Sequence, residues 1–410
     1  MLKILIIAGE LSGDALGANL IKEIALQHAF QNNSSMKKNV DTEGDVSEEL
    51  MFQGIGGPLM KKQGLVSLYN IKDLAVMGLT EVLTSLPKIF AILGGISRYV
   101  KIWNPDLVIT IDSPDFSIRL AKKLRKIDKF VPIIHYVAPS VWAWRPLRAK
   151  QMGQYFDHVL ALFPFEAEYF EKFGLSCDFV GHPVTRQRLP DKNKINFAIS
   201  KMNLDTTKRT LTLLPGSRNT EIKYMLPIFI SVIKRLEYTF NDLEIIIPAP
   251  LHVSKLVREQ VLKAKINVKI MAEEDFTSEG FQDCKYSLFT LSEMALATSG
   301  SVSLELARAG TPMITAYRCG FLFERVLKRF VSIKSANLIN IISETKIVPE
   351  FLFEECNVEN IFRSIYELLT QPKLLLEQKE LHVKVLDSLV SKTGSPSHAA
   401  AKKILSYINQ

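Results

Sequence analysis

Apolar and polar positions along the chain come in alternating blocks. Short β-branched apolar runs are each followed by a polar turn carrying glycine, serine or proline, and then by a segment with helical spacing. The first block shows the pattern: LKILIIA (2–8), the turn GELSGD (9–14), then Leu16, Leu20, Ile21 and Ile24 recurring on one helix face. The same reading predicts strands at 2–8, 51–55, 107–111, 131–137, 157–162, 177–181, 210–214, 243–248, 266–271, 294–298 and 312–316. Runs that are apolar on both strand faces and alternate with helices imply parallel sheets wrapped by helices, so the fold class is α/β.

Two stretches break the rhythm. Residues 31–49 (QNNSSMKKNVDTEGDVSEE) are nearly free of large apolar groups and read as a long surface loop. Residues 185–209 are polar, with Pro190 and several lysines, before the new apolar strand TLTLLPG. A chain of 410 residues suits two domains. The division expected is a Rossmann-like N-terminal domain over 1–185, a Rossmann-like C-terminal domain over 186–375, and a helical segment, 376–410, that packs back on the N-terminal domain.

Composition narrows the class. The four cysteines, Cys177, Cys284, Cys319 and Cys356, form no CxxC pair and no metal spacing, which suits buried thiols in a reducing compartment and a cytoplasmic protein. No apolar stretch approaches the roughly 18 residues needed to span a bilayer, and Glu10 and Asp14 interrupt the first apolar run, unlike a signal peptide. A formal charge of +8 favours anionic partners. Its lysines and arginines are scattered or lie on helix faces, and no RNA- or DNA-reading motif is present, so nucleic acid ranks below a membrane surface or a phosphorylated small molecule.

Candidate chemistry gathers where strands end, since ligands of α/β proteins bind at the carboxyl edge of the sheet. In GELSGD, Ser12 or Asp14 can cap a helix start, while Glu10 points toward a hydroxyl or a cation rather than a phosphate. Asp112, after LVITI, can act as a base or serve as a cap; Asp115 is the other cap candidate. HYVAPSVWAWR (135–145) places Ser140, Trp142, Trp144 and Arg145 after a buried strand, as ligand groups or as a lid on the core. In LLPGSR, Gly216 lets amides approach an anion, Ser217 can donate, and Arg218 offers the bidentate fork a diphosphate matches. Ser299, Gly300 and Ser301 form a similar turn, with Glu305 further on as acceptor of sugar hydroxyls or as a solvated helix residue.

Taken in order, GELSGD, GIGGPLM (54–60), LAVMGLTEVL (74–83), IDSPDF (111–116), HYVAPSVWAWR, LPGSR (214–218) and TSGSVSLE (298–305) resemble the lipid-A-disaccharide synthases over nearly the whole chain. The resemblance implies a GT-B glycosyltransferase with two Rossmann-like domains facing a central cleft, UDP on the C-terminal one, and no metal or other cofactor. It implies inverting transfer of 2,3-diacylglucosamine from its UDP donor to 2,3-diacylglucosamine 1-phosphate, with a β-1,6 link. Asp112 is then the candidate base and Glu10 a second essential carboxylate, without deciding which takes the proton. Arg218 and the turn at Gly300 would face the diphosphate and Glu305 the ribose. Ser12, Asp14, Ser140, Trp142, Arg145 and Asn337 would line the substrates. The chain departs from the family pattern at Leu11, Ser113, Ser117 and Ala336.

The dense apolar segment 74–93 fits acyl chains or an anionic inner-membrane leaflet, through Met77, Leu79 and Val82 beside Lys61, Lys62, Lys88 and Arg98, or else a core helix. The expected location is the cytoplasmic face of the inner membrane, peripherally bound. The resemblance allows a homodimer, since family members can form dimers that exchange C-terminal segments, but the sequence leaves the oligomeric state open. Two other classes remain open from the sequence. One is another UDP-sugar enzyme of this fold, such as a UDP-GlcNAc epimerase or a peptidoglycan-type transferase; the other is a non-catalytic nucleotide-sugar-binding protein.

Overall fold

The apolar run Leu2–Ala8 becomes β1, a strand with both faces covered and Ile4, Leu5, Ile6 and Ala8 fully buried. The computed structural model describes residues 1–36, 50–74, 79–320, 324–325 and 335–408. After β1 come α1 (Leu11–Met36), β2 (Leu50–Ile55), α2 (Pro58–Lys62), β3 (Val66–Ser67), α3 (Leu79–Trp103), β4 (Leu107–Ile111) and α4 (Pro114–Leu124). Then follow β5 (Ile133–Tyr136), α5 (Leu147–Met152), β6 (His158–Ala161), α6 (Ala167–Glu171) and β7 (Ser176–Phe179). These strands form one sheet in the order β3-β2-β1-β4-β5-β6-β7, parallel throughout. The chain moves outward from β1 to β3 and returns to lay β4 against the other side of β1. The topological switch point, where such sheets open a crevice, therefore lies between the ends of β1 and β4.

The next stretch repeats the plan with α7 (Lys192–Met202), β8 (Arg209–Leu214), α8 (Asn219–Thr239), β9 (Leu243–Ala249), α9 (Leu251–Ala264), β10 (Lys269–Ala272), α10 (Ser278–Leu291) and β11 (Ser292–Thr298). It closes with α11 (Val302–Arg308), β12 (Met313–Tyr317), α12 (Leu338–Ser343), β13 (Glu350–Leu352), α13 (Val358–Thr370) and α14 (Pro372–Ser388), and α15 (Pro396–Ser406) ends the chain. The second sheet, again parallel, has the order β10-β9-β8-β11-β12-β13, so its switch point lies between β8 and β11. Leu211, Leu213, Ile245, Ile247, Met294 and Leu296 project from these strands into one core.

The chain divides into two compact units, Met1–Pro183 with Leu389–Gln410, and Val184–Ser388. The return to the first unit falls at Leu389, later than the 376 drawn from sequence. The cause is α14, which puts Leu375 into the second core and whose Gln378 Oε1 accepts the buried Met313 amide at 2.9 Å. From there α15 packs on α1, where His398 Nδ1 meets Glu23 Oε2 at 3.1 Å and Gln27 Nε2 donates to the His398 carbonyl at 3.0 Å.

Three other expectations change. Residues 31–36 continue α1 instead of forming a loop; 37–49 lie outside the described residues. The strand expected at 131–137 shrinks to Ile133–Tyr136, because Pro132 has no amide to offer and Val137 turns left-handed at φ 77°. β3 and β13, two and three residues long, are too short to leave a periodic signal. Among the described residues no helix is long and apolar enough to cross a membrane.

Candidate active site

At the first switch point the loops after β1 and β4 touch. Gly9 donates its amide to the Ile111 carbonyl at 3.2 Å, and a methyl group on Gly9 would overlap the Cβ and Oγ of Ser113. Glycine is required there by space. Asp112 and Ser113 both adopt left-handed backbone, φ 58° and 44°, a conformation that costs a non-glycine residue about 1 kcal/mol or more and is held by its surroundings. The Asp112 amide donates to the Tyr136 carbonyl at 3.1 Å, and Ser117 Oγ donates to the Asp112 carbonyl at 3.0 Å.

This turn aims the Asp112 carboxylate along the edge of the sheet. Its Oδ1 accepts the Ser113 amide at 3.0 Å, and Ser12 Oγ lies 3.4 Å from its Oδ2. Burial raises its pKa, and the two hydrogen bonds oppose that only in part. Glu10 sits half-buried in the facing bend, its carbonyl accepting the Asp14 amide at 3.2 Å. The structure thus brings Glu10, Ser12 and Asp112 to one crevice.

Asp14 does something else. It is buried, and its carboxylate accepts the amides of Gly57 at 2.8 Å, Leu59 at 3.0 Å and Met60 at 3.0 Å. It therefore ties α1 to the start of α2, neither capping its own helix nor offering an oxygen to a substrate.

The loop after β5 is anchored from below. Trp142 is half-buried, and its indole Nε1 donates to Glu166 Oε1 at 3.2 Å, while Glu166 Oε2 accepts the amides of Leu162 at 3.2 Å and Phe163 at 3.1 Å. Burial outweighs these three donors and lifts the Glu166 pKa to about 7. Trp142 meets Phe165 edge-on at 5.4 Å, and Phe163 stacks on His182 at 5.3 Å. Ser140 and Arg145 stand exposed on the same loop. Glu166 was not foreseen, because no motif links it to Trp142 across 24 residues of sequence.

At the second switch point a cavity of about 380 Å³ opens, lined by Gly216, Arg218, Pro250, Lys285, Gly300 and Glu305 among others. The amides expected to approach an anion are already taken: Ser217 and Arg218 donate to Glu221 Oε2 at 2.9 and 3.3 Å, and Arg218 Nη1 pairs with Glu221 Oε1 at 3.2 Å. Gly216, at φ 117°, is needed because a side chain would collide with Glu221. Glu221 stands three residues after Arg218, in the first turn of α8, from where a carboxylate can reach back to the amides that precede the helix. Ser299 Oγ likewise donates to Glu350 Oε1 at 3.2 Å. Glu305 is paired with Lys285 Nζ at 2.7 Å, a lysine the sequence did not single out. Each cation of this cavity thus carries a carboxylate partner.

Asn337 is fully buried at the start of α12. Its Oδ1 accepts the amides of Ile339 at 2.8 Å and Asn340 at 3.3 Å, and its Nδ2 donates to Thr315 Oγ1 at 3.3 Å, so it caps a helix and has no group left for a substrate. Met77 lies outside the described residues, and for Leu79 and Val82 only the backbone of α3 is described.

Two Rossmann-like units with parallel sheets, each with polar groups at its switch point, are the plan of the GT-B fold. Solved structures show the same fold: the S. aureus MnaA–UDP structure matches with a TM-score of 0.62 at 14% identity, covering 100% of this chain and 96% of that one. A glycosyltransferase from Rickettsia africae ESF-5 matches with a TM-score of 0.54 at 12% identity, over 99% and 97% of the two chains. The family is narrower: the chain belongs to the lipid-A-disaccharide synthetases, whose family model matches residues 4–404. It is 37% identical to the lipid-A-disaccharide synthase of Rhodospirillum centenum over 410 residues, covering 100% of this chain and 95% of that protein. With the enzyme of the same name from Ruegeria pomeroyi it shares 37% identity over 365 residues, 88% and 85% of the two chains.

Proposed function

We propose that this chain transfers 2,3-diacylglucosamine from its UDP donor to 2,3-diacylglucosamine 1-phosphate. The bond from the anomeric carbon to UDP breaks, a β-1,6 glycosidic bond forms, and the acceptor hydroxyl's proton passes to a carboxylate. Asp112 takes that proton. Its raised pKa makes it a stronger base than an ordinary aspartate, and its strained turn holds it in one place. Glu10 orients the acceptor hydroxyls with Ser12, and Ser140 and Trp142 bound the acceptor's path.

In the second unit, Arg218 stabilises the departing diphosphate beside the Gly216–Ser217 and Ser299–Ser301 turns. Glu305, positioned by Lys285, accepts the ribose hydroxyls. UDP binding then requires Arg218 to exchange Glu221 for phosphate oxygens. No metal takes part in this scheme.

The observation that carries the reading is that Asp112 stands at one switch point and the cavity of Arg218, Lys285 and Glu305 at the other. Incubation with both lipids, followed by mass spectrometry, tests it. A phosphorylated disaccharide with equimolar UDP is expected. Epimerised UDP-sugar in the absence of acceptor, or no product, overturns it.

Both substrates are lipids, so the protein is placed peripherally on the cytoplasmic face of the inner membrane, on anionic lipid. Phe90, half exposed on α3, supports contact along that helix. Flotation with anionic vesicles tests this, and light scattering tests the homodimer.

A further inference from the structure

The loop that carries Trp142 ends in an arrangement the transfer chemistry does not use. Arg148 Nη2 bonds Asp115 Oδ1 at 2.7 Å, and the Arg148 side chain is only 13% exposed. Arg145 Nη1 approaches the same oxygen, but at 3.6 Å, beyond hydrogen-bond length, and its side chain is 56% exposed. Two guanidinium groups thus share one carboxylate, and Arg148 takes the bond. Arg145 is the surplus cation.

Its position is built. Arg145 has left-handed backbone, φ 53°, and its guanidinium lies over the Trp144 ring at 5.2 Å. Stacking on an indole fixes the plane of the fork while leaving its edge open to an anion. Asp115 is three residues beyond Asp112, in the first turn of α4, so the open fork and the base belong to one carboxyl edge. Arg119 adds a further exposed cation one turn along α4 from Asp115.

We propose that Arg145 binds the phosphate monoester of the acceptor, with Arg148 and Asp115 as positioning residues and Trp144 as the platform. This rests on the acceptor assigned above and adds how a phosphorylated sugar is told from one with a free 1-hydroxyl. A planar fork can take two phosphate oxygens at once, and Asp115, already satisfied by Arg148, competes little for it.

The test compares short-chain 2,3-diacylglucosamine 1-phosphate with the same lipid bearing a 1-hydroxyl, as acceptors for the parent, Arg145→Ala and Arg145→Lys. The parent is expected to prefer the phosphorylated acceptor about 10- to 100-fold in kcat/KM, the range of a single charge-assisted hydrogen bond. Arg145→Ala should lose most of that ratio through KM, and Arg145→Lys should keep part of it. An unchanged ratio, or equal losses on both acceptors, overturns the proposal.

Calorimetric titration of the phosphorylated acceptor without donor separates this inference from the reaction itself. If the parent makes no disaccharide, yet binds that lipid and loses affinity on Arg145→Ala, the transferase reading fails and the phosphate subsite stands. Phosphatidylglycerol vesicles should bind both proteins equally. A loss of vesicle binding in Arg145→Ala would assign the arginine to the membrane headgroup and overturn the acceptor subsite.

Discussion

At the scale of single residues, reactivity is set by where a strand ends. Asp112 is one aspartate among many in the sequence, but burial raises its pKa and Ser12 and Ser113 hold its oxygens. Asp112→Asn should lower turnover on the order of 10²–10⁴-fold while leaving UDP affinity by calorimetry unchanged. The base works deprotonated, so the parent's rate should fall as pH drops through the raised pKa, at higher pH than the ordinary aspartate value of about 4. That acid limb should vanish in the variant's residual rate; an unaltered profile removes Asp112 from proton transfer. Asp112, which directly follows an apolar strand, and Glu10, one glycine beyond another, were legible from that placement. Asp14 and Asn337 were misread because their chemistry suits a ligand, and only the fold shows the backbone amides that claim them.

Secondary elements supply the anchors. Arg218 begins α8 and is held by Glu221 one turn along, so Arg218→Ala should weaken UDP binding and cost about 10²–10³-fold in rate, as for loss of one donor to a developing anion. Arg218→Lys should recover only part, lacking the fork. UDP binding as tight as in the parent would place the diphosphate elsewhere. In the first unit, the loop after β5 rests on Glu166. Glu166→Ala leaves an indole N–H and two buried amides without acceptors and should cost about 3 kcal/mol of unfolding free energy, read by urea denaturation. A change under 1 kcal/mol would mean the loop repacks around the gap. The motif at 135–145 marked the loop; nothing in it pointed to its support, which comes from the end of the next strand.

Across the whole molecule, the two units should differ in their response to acid. His135, His158 and His182 in the first unit have pKa values lowered by burial, to about 3, 4 and 4, and His382 in the second is lowered to about 4. A depressed histidine leaves the unfolded chain binding more protons, so its contribution to stability is present above pH 6.5 and lost as pH falls toward the folded value. Glu166, raised to about 7, acts the other way between about 4.5 and 7, binding its extra proton in the folded state. In the first unit three depressed histidines therefore oppose Glu166 and, from the ordinary aspartate value of about 4 upward, Asp112, while the described residues of the second unit have one depressed histidine, His382. On acidification from pH 7 to 5, hydrogen exchange at β1 and β4 should accelerate more than at β8 and β11. The opposite order would show that other groups govern acid stability.

The sequence alone determined the α/β class, the two Rossmann-like units, the strand ends followed by Glu10, Asp112 and Arg218, and the helix that carries Glu305. Strand burial and turn chemistry are local, so they can be read along the chain. Tertiary structure decided which polar groups remain open to a ligand. Glu221 takes the Ser217 and Arg218 amides, Glu166 holds Trp142, and α14 keeps residues 376–388 in the second unit. Each of these outcomes is a contest for a hydrogen-bond donor or a patch of core, and most of the competitors meet only once the sheets have formed.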